Sequence, residues 1–335
     1  MQERRDVRLA DLTTLGVGGP IERLVEVADA EELVAAVRDA DESGRPLLVL
    51  GGGSNVVAPD EGWAGDVVLV RSRGIRRDGD ELTVQAGHDW DELVAFTVEN
   101  RLAGIEALSG IPGSTGATPI QNVGAYGQEV AQTITAVRVY DRAEKSERTL
   151  DPAECEFAYR DSRLKRDPGR FVVLEVTFAL HPGTRSRPVS YAELARTIGV
   201  EIGESAPLAE VREAVLRLRR GKGMVWDPAD PDSRSAGSFF TNPIVPAEHA
   251  VEGCPSWPTP DGQVKLSAAW LVQHAGFGRG TRAGKVGTSS RHSLALTTED
   301  GATAAELLAF ADRIVAAVRE KFGVSLEREP TAVRP

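Results

Sequence analysis

The sequence predicts an α+β protein with more than one domain, and three observations support this prediction. The first 70 residues follow the pattern strand, helix, strand, and residues 66–180 mix several strands with one helix. Beyond Leu180 the pattern changes, because frequent prolines separate three helical stretches. At 335 residues, the chain is long enough for two or three domains and a substantial core.

Composition and charge exclude several classes of protein. Hydrophobic residues make up 41% of the chain and charged residues 27%, as in an ordinary globular protein. The net charge of −11 argues against a general nucleic-acid or anionic-membrane binder. The first residues lack the apolar region of a signal peptide, and no apolar run is long enough to cross a membrane, so we expect a cytoplasmic protein. Cys155 and Cys254 lie far apart without Cys-rich or His-rich surroundings, which supports neither a disulfide framework nor a metal site.

The N-terminal elements lead into the first of two glycine clusters. Residues 24–27 form a short β-prone run, and Asp29 with Glu32 predicts a capping box for the helix that follows. Residues 46–50 are a continuous apolar strand that ends at three consecutive glycines. A Rossmann fingerprint would open a helix at this point, whereas residues 56–62 are extended and then turn-like. The Rossmann interpretation is therefore poor, and the sequence has no Walker A motif.

The middle of the chain supplies further strands around one helix. Strands are predicted at residues 66–70, 82–86, 134–139 and 172–178. Between them, Asp89 is predicted to cap a helix that ends before Gly104. The apolar and small side chains assigned to this helix are Leu93, Phe96, Thr97 and Leu102.

The last part of the chain, in which prolines are frequent, is predicted to contain three helices. Helices are expected near residues 208–220, 267–274 and 303–321. The last of these has a capping box of Thr303 and Glu306, an apolar stripe, and Gly323 as its stop signal. A short strand over residues 324–329 is predicted to close the chain.

The two glycine clusters, at residues 51–55 and 109–122, are the strongest indication of function. Glycines allow backbone amides to approach an anion or a flat ring closely, so the pair indicates a large phosphate-bearing cofactor. One cluster alone would be better explained as a tight turn. The presence of both favours the cofactor.

Six motifs along the chain follow one order. They are residues 14–19 (TLGVGG), 50–56 (LGGGSNV), 110–127 (GIPGSTGATPIQNVGAYG), 157–162 (FAYRDS), 236–243 (AGSFFTNP) and 326–329 (LERE). Together they resemble the UDP-N-acetylenolpyruvoylglucosamine reductase (MurB) family of flavoenzymes, in the subgroup with a substrate-loop tyrosine. The resemblance implies a two-part FAD-binding region of the vanillyl-alcohol oxidase/PCMH type plus a C-terminal substrate-binding α+β domain. The implied boundaries are residues 1–70, joined by residues 324–335, then 71–205, and 206–323.

The resemblance also implies noncovalent FAD as the cofactor and NADPH as the co-substrate. The implied FAD-binding residues lie in the two glycine clusters and are Gly51, Gly52, Gly53, Ser54, Asn55, Ile111, Pro112, Gly113, Ser114, Gly116, Ala117 and Ile120. The main alternative is another flavin oxidase or dehydrogenase with the same cofactor domain. Many of those enzymes tether the flavin covalently through a histidine in the first glycine loop, and residues 51–55 contain none.

The family reaction assigns three catalytic positions. In it NADPH reduces FAD, and the flavin N5 delivers hydride to C3 of the enolpyruvyl ether, so charge develops on C2 and the carboxylate. Such a site needs a cation or an acid beside the carboxylate and a proton donor at C2. The matching residues are Arg160, Ser238 and Glu329, with Glu329 chosen over Glu327 by the Leu-x-x-Glu spacing. Without the resemblance, Arg160 would be taken as a salt-bridge partner and Ser238 as a turn residue. Pro330 departs from the family pattern and removes one strand donor.

Five further residues are implied to bind substrate: Tyr126, Tyr191, Lys222, Asn242 and His292. Four of them have an ordinary structural alternative: core anchoring for Tyr191, a helix C-terminus for Lys222, a turn for Asn242 and a surface role for His292. Lys222 is also the candidate cation that supports Ser238 as a proton donor. A noncatalytic sugar-nucleotide or FAD-binding protein would lack at least one of the three catalytic residues. We expect no nucleic acid, membrane insertion or obligatory protein partner, while the choice of NADPH over NADH stays open.

Overall fold

The computed structural model describes residues 1–334, which cluster into two compact units. Unit 1 comprises Met1–Val7, Ile21–Gly52 and Trp63–Arg220. Unit 2 comprises Arg8–Pro20, Gly53–Gly62 and the chain from Gly221 onward. The three-part division at residues 70 and 205 remains a prediction.

The secondary structure is mixed, as an α+β class requires. The strands are β1 (Gln2–Arg4), β2 (Ile21–Val27), β3 (Leu47–Leu50), β4 (Val56–Val57), β5 (Trp63–Val70), β6 (Ile75–Asp78), β7 (Glu81–Gln85), β8 (Leu102–Ala103), β9 (Gly124–Ala125), β10 (Gln128–Glu129), β11 (Ile134–Asp141), β12 (Ser146–Leu150), β13 (Phe171–Ala179), β14 (His181–Pro182), β15 (Ser235–Ser238), β16 (Ile244–Val245), β17 (Ser256–Pro258), β18 (Val264–Leu266), β19 (Arg282–Ala283), β20 (Val286–Thr288), β21 (Ala295–Thr298) and β22 (Thr331–Ala332). The helices are α1 (Ala30–Glu42), α2 (Trp90–Glu99), α3 (Pro152–Cys155), α4 (Arg163–Arg166), α5 (Ala192–Ile198), α6 (Leu208–Gly221), α7 (Ala268–His274) and α8 (Ala304–Phe322).

The first sheet of unit 1 has the order β1-β2-β5-β3 and confirms the predicted strand, helix, strand pattern. Strand β5 pairs in parallel with both β2 and β3, and β1 pairs with β2 in antiparallel. Asp29 caps α1 by accepting the Glu32 amide at 2.8 Å. The Glu32 carboxylate accepts from the Ala28 amide at 2.8 Å, one residue before the position that a capping box would use.

The second sheet of unit 1 is antiparallel, with the order β12-β11-β13-β7-β6. It confirms the strands predicted around residues 82–86, 134–139 and 172–178. Asp89 caps α2 through the Glu92 amide at 2.9 Å, as predicted. The assignment of Leu102 to this helix was wrong, because α2 ends at Glu99 and Leu102 begins β8. Arg101, between them, has φ +57°, which no helix continues through.

Unit 2 contains the sheet β15-β21-β20-β19 together with α7 and α8, and confirms both predicted helices. Thr303 and Glu306 form the predicted capping box, and Gly323 ends α8 at φ +70°. Each unit has its own apolar core. Leu33, Trp90 and Phe178 are buried in unit 1, and Phe239 and Phe310 in unit 2. Across residues 1–334, no helix is both long and apolar enough to cross a membrane.

The predicted closing strand over residues 324–329 was wrong in its position. The chain there is irregular apart from one bridge between Phe240 and Arg328, and the strand is β22, which follows Pro330. Strand β22 pairs in parallel with β4. Proline has no amide hydrogen, so a regular ladder starts only after it.

Candidate active site

The two glycine clusters meet in unit 1. A Cβ atom built on Gly52 would lie 2.6 Å from the Gly113 Cα, and one built on Gly51 would lie 2.2 Å from the Ser114 Oγ. The backbone of Gly113 cannot yield, so the Gly52 position requires glycine whether or not a ligand is present, whereas the Ser114 hydroxyl can rotate away from a side chain at position 51. Segments that are about 60 residues apart in sequence thus form one continuous backbone surface.

Backbone hydrogen bonds show which amides of this surface are used within the chain. The amides of Thr115 and Gly116 donate to the carbonyls of His88 and Ala86, each at 2.8 Å. Within residues 1–334, the amides of Gly52, Gly113 and Ser114 have no acceptor. The amides of Thr115 and Gly116 are therefore already used within the chain, whereas those of Gly52, Gly113 and Ser114 can still donate to an anion. Unpaired amides on two touching segments that carry little side-chain bulk suit a pyrophosphate.

The rest of the first cluster belongs to unit 2. Gly53 has φ +62°, and a Cβ there would lie 1.9 Å from the Leu12 carbonyl oxygen. The Asn55 amide group donates to the Glu329 carbonyl at 3.4 Å, and the Asn55 carbonyl accepts from Thr331 at 3.0 Å. Asn55 is therefore attached to the C-terminal segment that carries a candidate catalytic glutamate.

The remaining candidate FAD residues of the second cluster line the surface of unit 1 to different degrees. Ile111 and Pro112 are half-buried, while Ala117 and Ile120 are exposed. Their FAD contacts remain predictions.

Arg160 lies at a tight turn of unit 1. Ala158 and Asp161 exchange backbone hydrogen bonds at 3.0 and 3.2 Å, and Arg160 between them has φ +55°. Its guanidinium donates to the Gly124 carbonyl at 2.5 Å and lies 5.4 Å from the centre of the Tyr159 ring. The Lys165 ammonium donates to the Arg160 carbonyl at 2.8 Å. Backbone and side chain are thus both held, which favours a fixed position for a carboxylate-binding fork.

Ser238 is the last residue of β15 in unit 2. It follows Gly237 at φ +72° and precedes the buried pair Phe239 and Phe240, whose ring centroids are 5.5 Å apart. The Phe239 amide donates to the Leu294 carbonyl at 2.8 Å. The two buried phenylalanines anchor the end of the strand. The backbone that carries the Ser238 hydroxyl is therefore held in a fixed position.

Unit 2 also brings the serine and glutamate segments together. The Glu329 amide donates to the Phe239 carbonyl at 2.9 Å, and the Thr241 amide donates to the Glu327 carbonyl at 3.0 Å. Glu329 is half-buried whereas Glu327 is exposed, which agrees with the choice of Glu329. Their roles, like that of Arg160 in unit 1, remain predictions.

Two candidate substrate residues of unit 1 contact each other. The Tyr126 and Tyr191 rings pack edge to face, with centroids 5.4 Å apart. Burial raises the pKa of Tyr126 to about 12, so its hydroxyl stays a neutral donor at physiological pH. Tyr191 precedes α5 and is 41% exposed, in keeping with a side chain that a ligand can reach.

The other three candidates belong to unit 2. Lys222 directly follows α6, and is half-buried. The Asn242 carbonyl oxygen accepts the Ala268 amide at the start of α7, at 3.0 Å. Within residues 1–334, its NH₂ group has no acceptor and is available to a ligand oxygen. The His292 Nδ1 accepts from the Leu294 amide at 3.1 Å, which places the proton of the neutral ring on Nε2.

Arg219 is a residue of unit 1 that was not singled out from the sequence. It is 8% exposed, and its Nε donates to the Gly110 carbonyl at 3.1 Å. Burial lowers its pKa, against the opposing influence of Tyr126 and Asp91. The missed signal was its spacing, since Val211, Val215 and Arg219 follow one another at four-residue intervals on the buried face of α6.

Comparisons with known proteins decide the family. Residues 228–333 match the model of the UDP-N-acetylenolpyruvoylglucosamine reductase C-terminal domain, and residues 21–149 match an FAD-binding domain. A UDP-N-acetylenolpyruvoylglucosamine reductase from Thermobifida fusca is 53% identical, covering 98% of this chain and 97% of that protein. One from Streptomyces coelicolor is 51% identical, covering 99% of this chain and 91% of that protein. The chain belongs to the UDP-N-acetylenolpyruvoylglucosamine reductase family.

A solved structure agrees with this family assignment over the full length. The UDP-N-acetylenolpyruvylglucosamine reductase of Thermus caldophilus is 28% identical, with a TM-score of 0.69 and 99% of both chains covered. As a member of the reductase family with an FAD-binding domain, the chain is an oxidoreductase that uses FAD. The α+β class and the family resemblance are thereby confirmed.

Proposed function

We propose that this chain reduces UDP-N-acetylglucosamine enolpyruvate to UDP-N-acetylmuramate, with NADPH as the electron donor, in cytoplasmic synthesis of peptidoglycan precursors. The observation that carries the proposal is the near-full-length similarity to UDP-N-acetylenolpyruvoylglucosamine reductases, at 53% identity. The proposal is further supported by the presence of Arg160, Ser238 and Glu329 at the family's catalytic positions. Bound FAD supplies the hydride, and the protein supplies binding, orientation and charge.

Each candidate catalytic or substrate-binding residue has a role that suits its chemistry. The Arg160 fork binds the substrate carboxylate, on which negative charge grows during the reaction. The Ser238 hydroxyl donates the proton to C2, and Lys222 stabilises the alkoxide that remains. Glu329 acts as an acid beside the same carboxylate and, with Arg160, stabilises its growing negative charge. Tyr126, Tyr191, Asn242 and His292 bind the sugar nucleotide, with the NH₂ group of Asn242 as a donor to its oxygens.

The test separates the two half-reactions in a Ser238→Ala variant. We expect NADPH to bleach its flavin at the native rate, while reoxidation by UDP-N-acetylglucosamine enolpyruvate slows about 10²–10⁴-fold, the usual contribution of a positioned acid. Anaerobic stopped-flow absorbance measures both rates. Ser325→Ala removes an exposed serine of the same unit and serves as the control. An equal loss in both half-reactions would rule out the role of Ser238, and failure of the native protein to reoxidise would rule out the proposed reaction.

A further inference from the structure

Within unit 1, three hydrogen bonds join the motif at residues 110–127 to the motif at residues 157–162. They involve every second residue of the segment 120–124. The bonds are Ser162 Oγ to the Ile120 carbonyl (2.6 Å), Asn122 Nδ2 to the Ala158 carbonyl (3.0 Å) and Arg160 Nη2 to the Gly124 carbonyl (2.5 Å). The middle bond is the only one of the three in which the segment 120–124 contributes a side chain. Asn122 belongs to the second glycine motif, and nothing in the proposed mechanism uses it.

The environment of Asn122 is unusually demanding. The residue is 1% exposed and has φ +45°, a conformation that few residues other than glycine and asparagine adopt. Its Nδ2 donates to Glu129 Oε2 at 2.9 Å as well as to Ala158, and its Oδ1 accepts from the Ala131 amide at 3.1 Å. All three bonds lie at distances typical of good hydrogen bonds.

No other side chain meets these requirements together. Aspartate has the same size but lacks both N–H donors. Glycine tolerates the positive φ but makes no side-chain bonds. The amide of Asn122 is therefore specified by its bonding pattern as well as by its backbone conformation.

The two donor bonds of Asn122 act on opposite ends of Arg160. The Ala158 carbonyl closes the turn that holds the Arg160 backbone, because it accepts both the Asp161 amide and Asn122. Glu129 lies on β10, which pairs with β9, and β9 contains the Gly124 carbonyl that accepts the guanidinium. Asn122 thus connects the backbone of the arginine to the acceptor of its side chain.

We propose that Asn122 is a positioning residue that holds the Arg160 guanidinium in place for the substrate carboxylate. The inference rests on the proposed function, in which Arg160 binds that carboxylate. It extends that function because Asn122 contributes to the affinity for a carboxylate-bearing ligand through Arg160, without itself binding the carboxylate.

An Asn122→Asp variant tests the proposal through ligand selectivity. The substitution keeps the acceptor for Ala131, removes both donors and puts a carboxylate beside Glu129. The two probes are UDP-N-acetylmuramate, which carries the carboxylate, and UDP-N-acetylglucosamine, which lacks it. In the FAD-loaded protein we expect the Kd of the first to rise at least tenfold and that of the second to change less than twofold. Calorimetry or flavin absorbance changes measure both constants.

The control is Asn100→Asp, because Asn100 also donates to a backbone carbonyl, that of Phe96 at 2.8 Å, but on the exposed end of α2. We expect it to bind both probes like the native protein. Asn122→Gly, which accommodates φ +45° without the tethers, should show the same selective loss and serves if the aspartate variant does not fold.

The kinetic split distinguishes positioning from general destabilisation. We expect both Asn122 variants to retain NADPH reduction of the flavin within twofold and to lose at least tenfold in reoxidation by substrate. Equal loss of affinity for the two probes, or unchanged affinity for both, would overturn the positioning role. Failure of the native protein to bind either UDP-sugar would instead contradict the proposed function.

Discussion

At the residue scale, the glycine positions show how one side-chain atom decides a site. Gly52 needs glycine because its neighbour is the backbone of Gly113, which has no room to yield. From the sequence alone, the same glycine is explained by the close approach of a ligand. The structure adds that packing of the chain against itself is a sufficient reason for glycine at position 52. The unpaired amides nearby still support an anion site.

Gly52→Ala should therefore damage both folding and cofactor binding. Its Cβ would lie 2.6 Å from the Gly113 Cα, so the two segments must separate. We expect the free energy of unfolding of the apoprotein to fall by about 1–3 kcal/mol, and the Kd for FAD to rise at least tenfold. Urea denaturation and fluorescence titration with FAD measure the two quantities.

The matched control is Gly183→Ala, since a Cβ there meets no atom within 4 Å and the backbone is not left-handed. We expect it to change the free energy of unfolding by less than about 0.5 kcal/mol. Unchanged FAD affinity in Gly52→Ala would contradict the importance of the contact between the clusters.

At the element scale, α8 shows what a helix pattern predicts and what it omits. Thr303, Glu306 and Gly323 were sufficient to place both ends of the helix, because capping residues act locally. The Asp60 carboxylate also accepts the amides of Ala304 and Ala305, at 2.7 and 2.9 Å. No local pattern could have assigned a second cap that lies more than 240 residues away.

Asp60→Ala should destabilise unit 2 through the start of α8. It leaves two helix N-terminal amides without their acceptor and removes a negative charge from the positive end of the helix dipole. We expect the free energy of unfolding to fall by about 1–2 kcal/mol, measured by urea denaturation. Asp78→Ala, at an exposed carboxylate on β6, is the control and should change it by less than about 0.5 kcal/mol. Equal effects of the two substitutions would show that Asp60 does not act as a cap.

At the scale of the whole molecule, FAD should stabilise the folded chain. The backbone surface proposed to bind its pyrophosphate exists only when the two glycine clusters are in contact. A ligand that binds only the native state at 100 times its Kd adds about 2.7 kcal/mol to the free energy of unfolding. We expect the urea midpoint of the FAD-free protein to rise on addition of FAD, in proportion to the logarithm of its concentration. Flavin mononucleotide, which lacks the pyrophosphate, is the control ligand and should produce a smaller rise. A urea midpoint that does not change with the FAD concentration would contradict a binding site for FAD at the two glycine clusters.

The sequence by itself determined the class, the family and most of the elements. Strand periodicity, capping residues and the order of six motifs are properties of neighbouring residues, so they can be recognised before the chain is folded. Only the tertiary structure decided that the glycine clusters touch, that Asn122 links the turn of Arg160 to its acceptor, and that Arg219 is buried. It also moved the last strand from residues 324–329 to β22. The reason is that hydrogen-bond partners and close contacts join residues far apart in sequence, and these depend on the path of the chain rather than on local preference.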